Sequence, residues 1–79
     1  MKIDLHGYQI HDAWKEFNNA INEAYHAGRR SVVVVTGQGM MMREFPTWAM
    51  RHVRVREVTQ HKHNPGSFSV KLKKVPKQG

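Results

Sequence analysis

The chain has no cysteine, three prolines, and six acidic residues against thirteen lysines and arginines. Without cysteine, neither a disulfide framework nor a thiolate zinc site can reinforce a small core, and the absence fits a reducing compartment. No apolar run approaches the roughly 20 residues that span a bilayer. The opening Met1-Lys2-Ile3-Asp4 turns acidic before any signal-peptide core can form. These absences point away from membranes and toward a soluble, cytoplasmic protein, with a monomer as the default state. At 79 residues there is room for one domain. We place it over residues 1–74, with residues 75–79 as a frayed tail.

Charge is distributed unevenly. Within residues 1–42, Lys2, Lys15, Arg29 and Arg30 balance Asp4, Asp12, Glu16 and Glu23. Within residues 43–79, nine lysines and arginines face Glu44 and Glu57, so the net charge of +7 comes entirely from the second half. A one-sided positive field concentrates polyanions, and six histidines could add to it below neutral pH. The expected partner is nucleic acid, DNA or RNA, structured or branched forms included.

Hydrophobic spacing gives the elements. Ile3 and Leu5 alternate with Asp4 and His6 in a short strand that Gly7 ends. Over residues 10–27, Trp14, Phe17, Ile21, Ala24 and Tyr25 recur at steps of three and four, with Ala13 and Ala20 beside them, and Gly28 is placed to end this helix. Val32, Val33, Val34 and Val35 form an unbroken β-branched run suited to a central strand covered on both sides. Thr36-Gly37-Gln38-Gly39 breaks it. A second helix is expected from Met42 or Arg43 to His52, because Pro46 is tolerated only near a first turn. Residues 54–61 read as a third strand. After the turn Asn64-Pro65-Gly66-Ser67, Phe68, Val70 and Leu72 alternate with polar residues in a fourth. The order βαβαββ predicts an α/β (α+β) two-layer sandwich: a mixed four-stranded sheet with two helices on one face. Each crossover should join parallel strands, and the final hairpin should be antiparallel.

Parallel strands deliver their carboxyl ends to one edge of a sheet, where ligands bind. Asp4 and His6 would meet Thr36-Gly37-Gln38-Gly39 and Arg43 there. A carboxylate beside an imidazole suits general acid/base work on a phosphodiester. Gly37, Gln38 and Gly39 offer a close backbone approach and a helix amino terminus to a phosphate, and Arg43 a forked donor. Met40, Met41 and Met42 are expected in the loop, packing under the helices. Arg54 and Arg56 on one strand and Lys71 and Lys73 on the next would form a basic hairpin face. With Arg51 and Lys62, they are the candidate nucleic-acid contacts. Lys on such strands also protects sheet edges. His61-Lys62-His63 lacks a third ligand and reads as a basic loop, not a zinc site.

Four stretches carry a family resemblance. Ile3-Asp4-Leu5-His6-Gly7 resembles the opening signature of Smr domains, the small MutS-related modules. Thr36-Gly37-Gln38-Gly39 with Arg43 resembles their second signature. Arg43-Glu44-Phe45-Pro46-Thr47-Trp48 looks like a variant of stand-alone bacterial and phage-type members, and Gly66-Ser67-Phe68-Ser69-Val70-Lys71-Leu72 resembles their closing strand. The resemblance implies a fold similar to the carboxy-terminal domain of bacterial initiation factor three. It also implies nucleic-acid binding, often with endonuclease activity on RNA or DNA. By the resemblance, Asp4 and His6 occupy the acid and histidine positions of the first signature, Gly37 and Gly39 the glycine positions of the second, and Arg43 its arginine; the expected catalytic residues are Asp4, His6 and Arg43, and the expected phosphate-binding ones Gly37, Gln38, Gly39 and Arg43. Three methionines between Gly39 and Arg43 depart from many members of the family.

Two chemical routes stay open. If a ribose 2′-hydroxyl attacks, no metal is required; if water attacks DNA, Asp4 could hold Mg²⁺ or Mn²⁺. The alternative to an endonuclease is a non-catalytic binding module of the same fold. A protein-interaction adaptor working through the methionine loop is a third.

Overall fold

The computed structural model describes residues 1–74, and the expected frayed tail lies outside the described residues. The elements follow the order β1 (Lys2–Asp4), α1 (Ile10–His26), β2 (Ser31–Val35), α2 (Met40–Met50), β3 (Val55–Gln60) and β4 (Ser67–Leu72). They form a four-stranded sheet in the order β1-β2-β4-β3. β1 runs parallel to β2, with Ile3 opposite Val34, while β4 is antiparallel to both β2 and β3.

Both crossovers join strands that run in the same direction, as expected. β2 and β3 share a direction, but β4 lies between them, so only the β1–α1–β2 crossover joins hydrogen-bonded parallel neighbours. Composition supplies the reason. Phe68, Val70 and Leu72 are buried, so β4 belongs inside the sheet. β3 carries Arg56, Glu57, Thr59 and Gln60, all exposed, and tolerates the edge.

One face of the sheet is covered. Val32, Val34, Phe68 and Val70 point into the core with Phe17 and Ile21 of α1 and Phe45 and Ala49 of α2. Phe45 links the layers: its ring centroid lies 5.3 Å from Phe17 and 4.9 Å from Phe68. Val33 and Val35 face the other way and are half-buried, so β2 is central in the sheet but not covered on both sides as its sequence suggested. Offset and edge-to-face rings of this kind contribute about 0.5–1.5 kcal/mol per pair beyond area burial.

The helices follow their stripes with two adjustments. In α1, Ala13, Phe17, Ala20, Ile21 and Ala24 are buried, while Trp14 lies at the margin, edge-on to Trp48 at 5.8 Å. The helix ends as expected: Gly28 N–H donates to Tyr25 O and Arg29 N–H to Ala24 O. α2 begins earlier than predicted, which puts Pro46 inside the helix rather than in its first turn. The methionines are therefore helical. Met41 is buried and anchors the first turn, Met42 is half-buried, and Met40 is exposed.

Candidate functional site

β1 and β2 both end at one edge of the sheet, and both helices begin there. The connections between them enclose a cleft of about 490 Å³, lined by His6 to Ile10 on one side and Thr36 to Met41 on the other. Neither helix has a side-chain cap at its N-cap residue, Gln9 or Gly39, so their first N–H groups face this edge unpaired by capping side chains.

Three backbone segments are clasped together beneath the cleft. The carbonyl of Gly66, at the start of the β4 hairpin arm, accepts from Thr36 N–H at 2.7 Å and Gly37 N–H at 3.2 Å. The buried Thr36 hydroxyl lies 2.8 Å from the Gly37 carbonyl and 3.2 Å from that of Gly66. Gly37 adopts φ +75°, a region that side chains disfavour, and a Cβ there would sit 3.6 Å from the His6 ring. The imidazole of His6 thus lies against the side of Gly37 that a Cβ would occupy.

The predicted site residues are placed as follows. Asp4, His6, Gly37, Gln38 and Gly39 converge on this edge. Asp4 Oδ1 accepts from the backbone N–H of His6 at 2.9 Å, an Asx-type turn that fixes the chain leaving β1. It bonds the amide, not the imidazole, so the carboxylate acts on the path of the chain. The Gly37 amide is committed to Gly66, so the uncapped amides at this turn are those at the start of α2. Arg43 is exposed on the first turn of α2, next to but not lining the cleft, with no hydrogen bond or ion pair among the described residues. Tyr8, which the sequence reading passed over, lines the cleft with its side chain 46% exposed. An aromatic residue beside the Gly7 turn was the available signal.

Of the expected basic hairpin face, Arg56, Lys71 and Lys73 line one groove, while Arg54 departs from it. A bulge at Arg56 interrupts pairing between Val55 and Glu57, so Arg54 and Arg56 do not share a face in the expected way. Arg54 instead turns onto α1. Its guanidinium stacks 4.4 Å from the Tyr25 ring centroid, and Nη1 donates to Asn22 Oδ1 at 2.8 Å. Its backbone N–H donates to His52 Nδ1, and the other ring nitrogen of His52 lies 2.9 Å from Asn18 Oδ1. Burial, and secondarily the positive charge of Arg54, lowers the His52 pKa below its ordinary value, which matches a neutral imidazole carrying its proton on Nε2. Lys71 pairs with Glu57 at 3.4 Å, and both are about half exposed. Arg51 is exposed at the carboxyl end of α2, and Lys62 is exposed in the hairpin turn on the cleft side of the sheet.

Among the described residues, no group of three His, Asp or Glu side chains converges as a metal cage. Asp4, the acid of the first strand end, already has one carboxylate oxygen bonded to the His6 amide. His61 Nε2 lies 2.7 Å from Ser69 Oγ, so the His61-Lys62-His63 segment is engaged with the sheet.

Comparison with known proteins agrees with this architecture. The structure superposes on the Smr domain of Thermus thermophilus MutS2 with a TM-score of 0.83 at 22% identity, covering 91% of this chain and 96% of that one. It superposes on YdaL, a stand-alone small MutS-related protein from Escherichia coli, with a TM-score of 0.78 at 21% identity, covering 92% of this chain and 64% of that one. No curated protein sequence matches the chain. The family model described as the Smr domain matches residues 3–73, taking in both strand-end segments of the cleft and the closing β4 arm. The chain therefore belongs to the Smr domain family.

Proposed function

We propose that this protein binds nucleic acid and cleaves its phosphodiester backbone at the cleft between the β1–α1 and β2–α2 connections. The observation that carries this reading is His6 packed beside Gly37 in the cleft, next to the uncapped start of α2. A phosphate seated there meets N–H donors and the positive end of a helix dipole, within reach of an acid/base group.

On RNA, the 2′-oxygen attacks phosphorus and the bond from phosphorus to the 5′-oxygen breaks. His6 accepts the hydroxyl proton, and a proton returns to the departing oxygen. The products are a 2′,3′-cyclic phosphate and a 5′-hydroxyl. Arg43 supplies charge against the extra negative charge that develops on the phosphoryl oxygens, and the amides of Gly39 to Met41 donate to them. Asp4 is a positioning residue, holding the His6 backbone so that the ring lies beside Gly37. With one free carboxylate oxygen and no converging partners, the site is a poor fit for a protein-held Mg²⁺ or Mn²⁺, and no step here depends on one.

One observation favours a second reading. Asp4 leaves the His6 ring without a carboxylate to orient it. A non-catalytic module would use the same cleft to dock a phosphate and a base. Incubating the purified protein with end-labelled RNA and supercoiled DNA separates the two: scission supports cleavage, whereas retention without scission supports docking.

A further inference from the structure

At the opposite edge of the sheet, a groove of about 470 Å³ is lined by Arg29, Arg30, Arg56, Lys71, Lys73 and Lys74. These cations come from three separate segments of the chain. Arg29 and Arg30 lie between α1 and β2, Arg56 is the bulged residue of β3, and the lysines lie in and just beyond β4. Backbone bonds bring the segments together: Leu72 N–H donates to Arg30 O at 2.8 Å and Lys73 N–H to Arg54 O at 2.9 Å. Among the described residues, no acidic side chain lines the groove. The nearest one known to engage it is Glu57, through a half-exposed contact with Lys71, a type of pair worth about 0–1 kcal/mol.

Structural roles account for only part of this cluster. Arg29 and Arg30 complement the carboxyl end of α1, and Arg56 protects an edge strand. Lys71 lies on β4, an interior strand, where edge protection has no purpose. Neither role explains Lys73 or Lys74.

The cleft has the opposite character. Among the described residues, no lysine, arginine, aspartate or glutamate lines it. The depression beside it contains Asp12 and Glu16 with Lys15. The charges near the cleft that holds His6, Arg43 and Lys62 among them, thus stand outside its lining, whereas the groove is lined by its cations.

We infer that the distal groove is a second nucleic-acid site, which grips backbone phosphates several steps away from the bond held at His6. This inference rests on the nucleic-acid reading above but not on cleavage. Ser31, which lines the groove, and Gly37, which lines the cleft, are six residues apart along β2 and its continuation. At about 3.3 Å per residue they are roughly 20 Å apart. A duplex advancing about 3.4 Å per base pair covers that distance in about six steps. The groove supplies affinity and register, and the cleft supplies local chemistry.

The test is a salt titration of binding to a duplex of about 24 base pairs, in DNA and RNA forms, with His6→Ala as the parent so that the duplex stays intact. Arg30→Gln and Lys73→Gln remove one charge each from the groove, and Lys15→Gln removes one charge near the cleft. All three side chains are exposed, and the Arg30 and Lys73 bonds that shape the groove are made by backbone atoms. Each groove variant is expected to lower the slope of log affinity against log salt by about one on at least one duplex, while Lys15→Gln changes it far less. Equal slopes for all three variants, with the parent still binding, would overturn the groove and leave the cleft reading intact. A parent that binds neither duplex at low salt would overturn both.

Discussion

Gly66 and Gly37 touch backbone to backbone. A Cβ on Gly66 would lie 2.8 Å from both the carbonyl carbon and the oxygen of Gly37, and Gly66 O accepts the Gly37 amide. No flexible side chain is available to yield, so the β4 arm and the floor of the cleft would have to separate. Gly66→Ala should destabilise the protein by about 1–3 kcal/mol, as overpacking does. Gly39, with nothing within 4 Å of its Cβ position and φ −102°, is the control. Gly39→Ala should cost less than Gly66→Ala, and urea denaturation of the two variants measures the difference. Equal losses would show that the clasp is not what requires glycine.

His52 gives stability a pH dependence of defined sign. Its folded pKa is lowered from the usual 6.5, first by burial and then by Arg54. As pH falls through about 6.5 the unfolded chain takes up a proton that the folded protein resists, so this group's contribution to stability declines; it is fully present above that pH. Urea midpoints for the wild type and His52→Gln, compared between about pH 8 and pH 5.5, isolate the effect from the other histidines. The variant should be less stable at the upper pH and show a shallower decline. Parallel curves would contradict the assignment.

Tyr8 lines the cleft with its ring half exposed, beside the proposed phosphate seat, where the base attached to that phosphate can stack. Base–aromatic stacking contributes about 1–3 kcal/mol per base. Tyr8→Ala should therefore weaken binding to single-stranded RNA or DNA by about five- to a hundredfold with the salt slope unchanged, and Tyr8→Phe should restore it. A changed slope, or no rescue by phenylalanine, would remove Tyr8 from the binding surface.

The sequence made the elements and one edge of the sheet legible because both depend on local signals. Spacing by three and four from Ala13 to Ala24 and alternation along Phe68, Val70 and Leu72 required no knowledge of distant partners. The strand order did not follow, because βαβαββ alone does not say whether β3 or β4 lies beside β2; burial of Phe68 and Val70 decides it. Asp4, His6, Gly37 and Gly39 could be grouped because parallel strands end together. Gly66 read as a turn residue, since its role depends on a contact 29 positions away. The charges misled most. Arg29 and Arg30 balance acids in a linear count, yet they fold against Lys71, Lys73 and Lys74. Arg54 looks like a surface cation in the strand pattern, but the bulge and Tyr25 turn it onto α1.

The central claim is that His6, held beside Gly37, performs acid/base chemistry on a phosphodiester. Its most direct test is cleavage of end-labelled RNA in the presence of EDTA by the wild type and His6→Ala, with binding measured in parallel and folding checked by circular dichroism. Scission by the wild type, leaving a 2′,3′-cyclic phosphate, and a loss of about a hundredfold or more in the folded variant with binding retained, is the predicted result. Equal cleavage by both proteins, or binding by the wild type without scission on RNA, would contradict it.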